Sequence, residues 1–329
     1  MIFTLNATDA LNIAIKGCLR PGDHVVTTEI EHNSVVRPLN RLQQEGRIKV
    51  TSVRVSQEGL VDPEEIKRAF TNRTRLVVMA HASNVTGTLQ TIEPIGQMTR
   101  AQGALFLVDA AQTAGSVPID VEKMQIDLLA FPGHKALLGP SGTGGLYVGP
   151  RANLRPWREG GTGVFSEAPL QPEAMPYLFE AGSPNILGIS LLQKSLEYIL
   201  KQGVSAIRAE ELRLTQQLLK GLRASDRFTV YGPTARTQKV AVVSINIHGH
   251  LPETVGKALD RLGIAVRAGL HCAPGAHRLL KTFPSGTVRI SPGFFTSPSE
   301  IDGCVDALLS VACKHTPRKK AGRQTLSIR

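Results

Sequence analysis

The chain has 329 residues, of which 42% are hydrophobic and 20% are charged, and its formal net charge is +11. This length allows two domains with a sizeable core, and no apolar run approaches the length that crosses a membrane. Six of the positive charges fall in residues 314–329, and the remainder is only mildly basic and carries no nucleic-acid-binding motif. With no secretory signal at residues 1–5, we expect a cytoplasmic enzyme that binds neither membranes nor nucleic acids.

The first half of the chain alternates between strand and helix patterns. Helices are predicted at residues 8–19, 33–44 and 93–102, and another opens at Asp62, an N-cap residue followed by Pro63. Strands are predicted at residues 2–5, 24–28, 48–55, 76–80, 105–108, 128–131 and 145–148. This order favours an α/β fold with a mostly parallel sheet and helices on both of its faces.

The pattern changes after residue 148. Residues 150–184 are rich in Gly, Pro and Glu and predict a long loop, which in an enzyme is usually functional. Beyond it, helices are predicted at 186–200, 206–222, 253–262 and 298–312, and strands at 228–231, 240–247, 264–267 and 287–290. We expect a large domain at residues 1–190, a smaller C-terminal α+β domain at residues 191–313, and a basic, flexible tail at residues 314–329.

Two polar residues follow buried strands of the predicted sheet. Asp109 ends the apolar run at residues 105–108, and Lys135 follows the strand at residues 128–131. Parallel sheets place ligand sites at the carboxyl ends of their strands. Pyridoxal 5′-phosphate (PLP) chemistry requires a lysine for a Schiff base and an aspartate for the pyridinium nitrogen. Asp109 alone could be satisfied by backbone amides, and a lone lysine is usually a solvated charge, so the pair is what favours a PLP site.

Further candidates lie at the other strand–helix junctions. Thr8 begins a helix whose N–H groups suit a phosphate, although Thr8 also fits a simple cap. His32 begins a helix after a strand, where its ring can stack on a flat cofactor or cap the helix. Asn84 follows the strand at residues 76–80 and is either a ligand-binding amide or a turn residue.

The C-terminal half adds a cysteine and two arginines. Cys272 lies between His271 and a Pro-Gly loop, a setting in which a cysteine is accessible and reactive, although a loop cysteine without function is the alternative. A zinc site here lacks correctly spaced ligands, so we expect no metal. Arg267 and Arg289 lie on or beside predicted strands, and either can bind a carboxylate through two hydrogen bonds.

These residues, in this order, resemble the cysteine desulfurases of the class V aminotransferase family, within the fold-type I PLP enzymes. The segment Arg267-Ala268-Gly269-Leu270-His271-Cys272-Ala273 is similar to the group II, short-loop branch, which includes the Suf-type desulfurases and selenocysteine lyases. The resemblance covers about residues 3–310. It implies a fold-type I PLP-dependent transferase that uses PLP as its cofactor and L-cysteine as its substrate.

The resemblance also implies a role for each residue. Lys135 would hold the cofactor as a Schiff base and move the α-proton, His32 would stack on the ring, and Cys272 would take the sulfur as a persulfide and leave alanine. Asn84, Arg267 and Arg289 would bind the substrate. The other cofactor contacts would come from Ala7, Thr8, Asn84, Asp109, Gln112, His134 and, from the second subunit of a homodimer, Ser183. A sulfur-acceptor protein would then use the persulfide for iron–sulfur clusters or thiolated cofactors.

The sequence departs from the family at two places. The family's N-terminal segment is absent before residue 2, and we expect this to weaken the dimer and open the site. Relatives usually carry Ser or Thr at the position of Pro132, whose ring offers neither a hydroxyl nor an N–H group to a phosphate. The alternatives to a cysteine desulfurase are a selenocysteine lyase or other class V aminotransferase or lyase, and a truncated, catalytically weak remnant that acts as a binding protein.

Overall fold

The computed structural model describes residues 1–313, so the predicted tail at residues 314–329 lies outside the described residues. The first part of the chain forms a seven-stranded sheet of order β1-β7-β6-β5-β4-β2-β3. Strands β2 to β6 run parallel, and β7 is antiparallel to both of its neighbours. The predicted mostly parallel sheet is therefore confirmed. Its strands are β1 (Ile2–Thr4), β2 (Asp23–Thr28), β3 (Ile48–Val53), β4 (Thr74–Ala80), β5 (Leu105–Asp109), β6 (Leu128–Pro132) and β7 (Gly144–Val148).

Helices cover both faces of this sheet because its strands are apolar on both sides. The helices are α1 (Ala7–Cys18), α2 (Asn33–Gln44), α3 (Pro63–Arg68) and α4 (Ile92–Ala101). Successive strand residues point to opposite faces, so Val25 of β2 joins the core cluster of Leu39 from α2, while Val26 joins that of Ile95 from α4. The predicted cap of α3 is present, since Asp62 Oδ1 accepts a hydrogen bond from the Glu64 N–H at 2.9 Å.

The C-terminal part forms a four-stranded antiparallel sheet of order β10-β11-β9-β8. Residues 150–184, between the two sheets in the chain, contain no helix or strand, as predicted. Leu218, Ile245 and Leu308 belong to the core of this second sheet. Its elements, with the helix that precedes it, are α5 (Ile186–Gln202), α6 (Val204–Arg223), β8 (Phe228–Tyr231), β9 (Val243–Ile247), α7 (Pro252–Asp260), β10 (Arg267–Gly269), α8 (Pro274–Leu279), β11 (Thr287–Ile290) and α9 (Pro298–Cys313).

Two local expectations differ from the structure. The strand predicted at residues 264–267 is wrong in position, because β10 begins at Arg267 while Ile264 and Val266 pack against the small-sheet core outside any strand. Helix α8 was not predicted, since its six residues are too few to show a helical period. Among residues 1–313, no helix is long and apolar enough to span a lipid bilayer.

Candidate active site

The carboxyl ends of the central strands meet at a cavity of about 330 Å³. Arg267 of β10 also lines this cavity, so both sheets contribute to its wall. It brings together all the residues predicted for the cofactor except Ser183, namely Ala7, Thr8, His32, Asn84, Asp109, Gln112, His134 and Lys135.

Asp109 is the buried carboxylate of this cavity, with only 4% of its surface exposed. Its Oδ1 accepts a hydrogen bond from the Ala111 N–H at 2.9 Å, and no other described residue donates a hydrogen bond to this side-chain carboxylate. Burial raises the pKa of Asp109, although the Ala111 N–H and the charge of Lys135 act in the opposite direction. A cation beside this carboxylate would favour its charged form, and a protonated pyridine nitrogen is such a cation.

Lys135 follows β6 and reaches the same cavity. Its side chain is open to solvent there, yet the surrounding protein removes enough water that desolvation lowers the pKa of Lys135. The charge of Asp109 raises this pKa, and the charges of Arg289 and Arg267 lower it. A lysine with a lowered pKa more readily presents the free amine that attacks a carbonyl.

The first turn of α1 forms one wall of the cavity. Asn6 caps this helix, because its Oδ1 accepts a hydrogen bond from the Asp9 N–H at 3.0 Å. The N–H groups of Ala7 and Thr8 lie in the first turn, where a helix offers them no acceptor of its own. Such a turn suits a phosphate, and His134 lines the same cavity. Pro132 lines it as well but contributes no donor.

His32 is both the cap of α2 and part of the cavity wall. Its Nδ1 accepts a hydrogen bond from the Ser34 N–H at 3.1 Å and lies 2.6 Å from the Ser34 hydroxyl. Burial, followed by the charges of Lys135 and Arg267, lowers the pKa of His32 to about 4. The ring is therefore neutral at pH 7. His32 can cap α2 and at the same time present a flat ring to the cavity, so the two interpretations of this residue agree with each other.

Asn84 links the cavity to the cysteine loop. The side-chain Nδ2 of Asn84 donates a hydrogen bond to the backbone carbonyl of His271 at 2.6 Å. The backbone carbonyl of Asn84 accepts a hydrogen bond from Arg289 Nη1 at 3.2 Å. Asn84 is 8% exposed, so it is a buried connector between the two sheets as well as a cavity residue.

Arg267 and Arg289 are cross-strand neighbours, paired in the antiparallel register of β10 and β11. Arg289 lines a second cavity of about 470 Å³, which also includes Gln112 and Lys135. Burial and the charge of Arg267 lower the pKa of Arg289. Its Nε–H is buried and has no acceptor among the described residues, so a carboxylate bound here would satisfy it.

Cys272 is exposed at the tip of the short connection between β10 and α8. His271 and Cys272 both adopt positive φ values, 50° and 59°, a conformation that is unfavourable for residues other than glycine and that clusters at functional sites. The Cys272 carbonyl accepts a hydrogen bond from the Asn33 N–H at 2.8 Å, which fixes the loop to the start of α2. A negative charge at Cys272 would raise the pKa of both Lys135 and Arg289.

Two predicted residues line neither of these cavities. Cys272 lies outside them at the surface, and Ser183 borders a separate cavity of about 80 Å³ together with Phe3, Arg158 and Glu180. Within one chain, Ser183 therefore does not join the cofactor residues.

Glu31 is a buried acid next to the cavity residues Ile30 and His32 that sequence reasoning missed. It is 1% exposed, accepts a hydrogen bond from the Thr28 hydroxyl at 2.5 Å, and accepts another from the Ala80 N–H at 2.9 Å. Ala80 is the strand partner of Asp109. Burial raises the pKa of Glu31 to about 8; the charge of Asp109 acts in the same direction, and the hydrogen bonds from Thr28 and Ala80 act against it. The available signal was an acid at a buried strand end, directly before His32.

Comparisons with known proteins agree with this geometry. A sequence profile of the family described as Aminotransferase class-V matches residues 1–303. This chain belongs to that family. A relative named "Probable cysteine desulfurase" from Methanothermobacter thermautotrophicus is 38% identical over 319 residues, which cover 95% of this chain and 79% of the relative.

Solved structures extend the likeness to the whole fold. The cysteine desulfurase from Thermococcus onnurineus NA1 has a TM-score of 0.88 at 32% identity, covering 94% of this chain and 78% of that one. The cysteine desulfurase CsdA from Escherichia coli has a TM-score of 0.86 at 26% identity, covering 94% and 78% of the two chains. The predicted fold-type I architecture is thereby confirmed.

Class-V aminotransferases use PLP as their cofactor, and the cavity fits this molecule. It offers an anion site at the Ala7 and Thr8 N–H groups, a buried carboxylate with one donor at Asp109, and an amine of lowered pKa at Lys135. A phosphate, a pyridine nitrogen and an aldehyde are the three groups that these features would bind.

Proposed function

We propose that this chain is a PLP-dependent cysteine desulfurase, which converts L-cysteine to L-alanine and carries the released sulfur as a persulfide on Cys272. The observation that carries the proposal is the exposed Cys272 thiol beside a PLP-compatible cavity, on a loop that is hydrogen-bonded to the cavity residue Asn84 and to Asn33. Relatives and solved structures that bear the name cysteine desulfurase align over most of the chain and support it.

Two residues would control protons and charge around the cofactor. PLP, when bound, supplies the electron sink for charge that develops on the substrate's α-carbon. Lys135 Nζ would hold the cofactor, take the α-proton from cysteine, and return a proton as a general acid. Asp109 would keep the ring nitrogen protonated, because this buried carboxylate has one N–H partner and favours a cation beside it.

The substrate would be held by arginines and attacked by the cysteine. Arg267 and Arg289 would bind its carboxylate from neighbouring strands. The Cys272 Sγ would attack the substrate sulfur, so that the new S–S bond forms as the substrate Cβ–S bond breaks. One of the two thiol protons ends on the alanine methyl group and the other stays on the persulfide. The reaction therefore needs no external oxidant or reductant.

Substitution of Cys272 tests this function directly. The purified chain is supplied with PLP and L-cysteine, and alanine and persulfide are measured by mass spectrometry. We expect Cys272→Ala to retain PLP on Lys135, detected as a pyridoxyl adduct after borohydride reduction, and to lose persulfide formation. Cys313→Ala is the matched control, because Cys313 is also exposed. Native rates of alanine and persulfide formation in Cys272→Ala would overturn the proposal, and parallel assays with selenocysteine would identify a selenocysteine lyase.

A homodimer with shared active sites is part of the proposal. Ser183 lies away from the cofactor residues of its own chain, and apolar side chains are exposed on either side of it, including Leu170 at 79% and Leu187 at 80%. Exposed apolar surface of this kind marks an interface. Mixing a Lys135→Ala chain with a Ser183→Ala chain should restore one intact site per heterodimer. The absence of restored activity in a verified heterodimer would contradict the shared site.

The Cys272 loop and the state of the cysteines support the branch and the location that we propose. Only four residues separate β10 from α8, which supports the group II, short-loop branch. The four cysteines are free, which suits the reducing cytoplasm. Delivery of the sulfur to an acceptor for iron–sulfur clusters is tested by reconstituting a cluster on a scaffold protein with cysteine as the only sulfur source.

A further inference from the structure

The chain around Cys272 is basic and contains no acid over a long stretch. Between Asp260 and Glu300 there are five lysines or arginines and no acidic residue. Helix α2, on which the Cys272 loop rests, likewise contains Arg37 and Arg41 and no acid. Arg41 is neutralised by Glu45 at 2.6 Å, so Arg37 is the unpaired cation of this helix.

The fold joins these two basic segments beside the cysteine. The Cys272 carbonyl binds the Asn33 N–H at 2.8 Å, and Arg37 lies one helical turn further along α2. Helix α8 begins two residues after Cys272 and, at six residues, is about 9 Å long. Arg278 lies within α8 and Lys281 just beyond it. The three exposed cations Arg37, Arg278 and Lys281, here called the basic rim, therefore lie on or just after the two helices that flank the Cys272 loop.

None of the basic rim is neutralised by the described part of the chain. Eleven ion pairs are formed within residues 1–313, and none includes Arg37, Arg278 or Lys281. Arg278 instead lies over the Phe283 ring, 4.9 Å from its centroid. These cations are also not needed for the substrate carboxylate, for which Arg267 and Arg289 are available at the cavity.

A groove runs beside the rim. Here called the α2/α8 groove, it has a volume of about 260 Å³ and is lined by Val36 and Asn40 of α2, by Gly275 and Arg278 of α8, and by Thr27 of β2. The Thr27 hydroxyl is buried and has no hydrogen-bond partner among the described residues. Glu29 is the carboxylate in the groove wall, and its Oε1 accepts a hydrogen bond from the Val55 N–H at 3.0 Å. The groove thus offers an unpartnered hydroxyl, apolar contacts, a cation at Arg278 and one carboxylate at Glu29.

We propose that the basic rim and the α2/α8 groove form the docking surface for an acidic sulfur-acceptor protein. This inference rests on the proposed desulfurase function. The acceptor's thiolate attacks the outer sulfur of the Cys272 persulfide, so that a new S–S bond forms on the acceptor while the Cys272 S–S bond breaks. Cys272 leaves as a thiolate and the persulfide passes to the acceptor, so no oxidant or reductant is consumed. Unpaired cations around the nucleophile steer a negatively charged thiol partner to it.

The test compares charged thiol peptides as acceptors. Two peptides of equal length carry a single cysteine, flanked by glutamates in one and by lysines in the other. The chain is loaded with persulfide, and transfer to each peptide is followed by rapid quenching and mass spectrometry. At low ionic strength we expect the acidic peptide to accept sulfur about tenfold faster, which is at the low end of electrostatic steering effects. High salt should remove the difference, since it screens exposed charges.

Charge reversal locates the effect. The double variant Arg37→Glu, Lys281→Glu should lose the preference for the acidic peptide. The matched control Arg100→Glu reverses an exposed charge on α4, on the opposite face of the large sheet, and should keep it. Alanine release with dithiothreitol, an uncharged acceptor, should be the same in all three proteins and reports the proposed function separately.

Each outcome is informative. Equal transfer to both peptides, with normal alanine release to dithiothreitol, overturns the docking surface and leaves the desulfurase function standing. If Arg100→Glu also loses the preference for the acidic peptide, the assignment of the effect to the basic rim is overturned. Tight binding of tRNA that depends on Arg37 and Lys281, without any peptide preference, assigns the surface to nucleic acid instead. No alanine with dithiothreitol overturns both proposals.

Discussion

Replacing Pro132 with serine is expected to tighten the binding of PLP. Pro132 is the last residue of β6, paired in register with Gly144, and it lines the same cavity as Thr8 and His134. Its ring supplies neither a hydroxyl nor an N–H group. Serine at this position would add a hydroxyl to the wall where we propose that the phosphate binds. Because serine is the smaller residue, we expect no overpacking.

The size of the effect follows from one added hydrogen bond to a charged group. Such a bond contributes about 1.5–3 kcal/mol, which corresponds to a dissociation constant for PLP that is about 10- to 150-fold lower. Loss of the proline ring destabilises the folded chain by about 0.4–1 kcal/mol, because the unfolded chain becomes more flexible. That second effect lowers the thermal midpoint of Pro132→Ser but does not oppose the gain in affinity of the folded chain.

The assay measures PLP binding to the cofactor-free chain by absorbance titration, and PLP release by competition. Pro132→Ala is the matched control, because it restores the backbone N–H without a hydroxyl. Thr8→Val, which removes a hydroxyl from the same wall, should weaken binding by a similar factor. Equal dissociation constants and release rates for Pro132→Ser and Pro132→Ala would refute the reasoning.

Three other substitutions have defined outcomes. Lys239 is fully buried and its pKa is lowered to about 8. Between pH 8 and 10.5 the unfolded state therefore binds more protons than the folded state, and stability rises with pH. The free energy of unfolding of wild type, relative to that of Lys239→Met, should rise by about 2 kcal/mol from pH 7 to pH 9.5, measured by denaturant unfolding at both pH values. Glu31, with a pKa of about 8 in the folded state, should make stability fall as pH rises. From pH 4.5 to 8 the thermal midpoint of wild type should fall relative to that of Glu31→Gln. Thermal midpoints that change in parallel with pH in the two proteins would contradict a buried proton on Glu31. Arg289→Gln should raise the KM for cysteine about tenfold or more and change kcat less, because a charge-assisted hydrogen bond contributes about 1.5–3 kcal/mol. An unchanged KM would exclude Arg289 from substrate binding.

The fold could be predicted from the sequence where local chemistry decides it. Asp62 and Pro63 define the start of α3 because a capping carboxylate and a first-turn proline need no distant partner. The apolar run before Asp109 forms a buried strand in almost any parallel sheet. The convergence of Asp109 and Lys135 on one cavity was predictable for the same reason, since parallel strands present their carboxyl ends together.

The rest depends on contacts that no local pattern contains. Glu31 is held by the Thr28 hydroxyl and by the N–H of Ala80, which lies 49 residues away in the chain. The sequence shows an acid shortly after a buried strand, but the distant Ala80 N–H that helps to hold Glu31 in the interior is not visible in it. The start of β10 was misplaced because Ile264 and Val266 are apolar at alternate positions and yet pack, partly buried, against the small-sheet core without strand pairing.

The loop after β4 shows the largest gap between sequence and structure. Its carbonyl at Val85 accepts a hydrogen bond from the Ser244 hydroxyl at 2.6 Å, and its carbonyl at Thr86 accepts one from Lys239 Nζ at 3.1 Å. These partners are 159 and 153 residues away in the chain. Both partners come from the C-terminal half, so side chains of that half hold the loop backbone at the carboxyl end of β4 in the large sheet.

Asn84, in the same loop, continues this connection to the reacting groups. Its carbonyl binds Arg289 and its amide binds the carbonyl of His271, next to Cys272. Asn84 belongs to a loop of the large sheet, whereas Arg289 and His271 belong to the C-terminal half, so these two hydrogen bonds hold the small sheet against the large one. A shift of the small sheet relative to Lys135 would have to break both bonds. The position of Asn84 after a strand does not reveal this connecting role, because its partners lie 205 and 187 residues away in the chain.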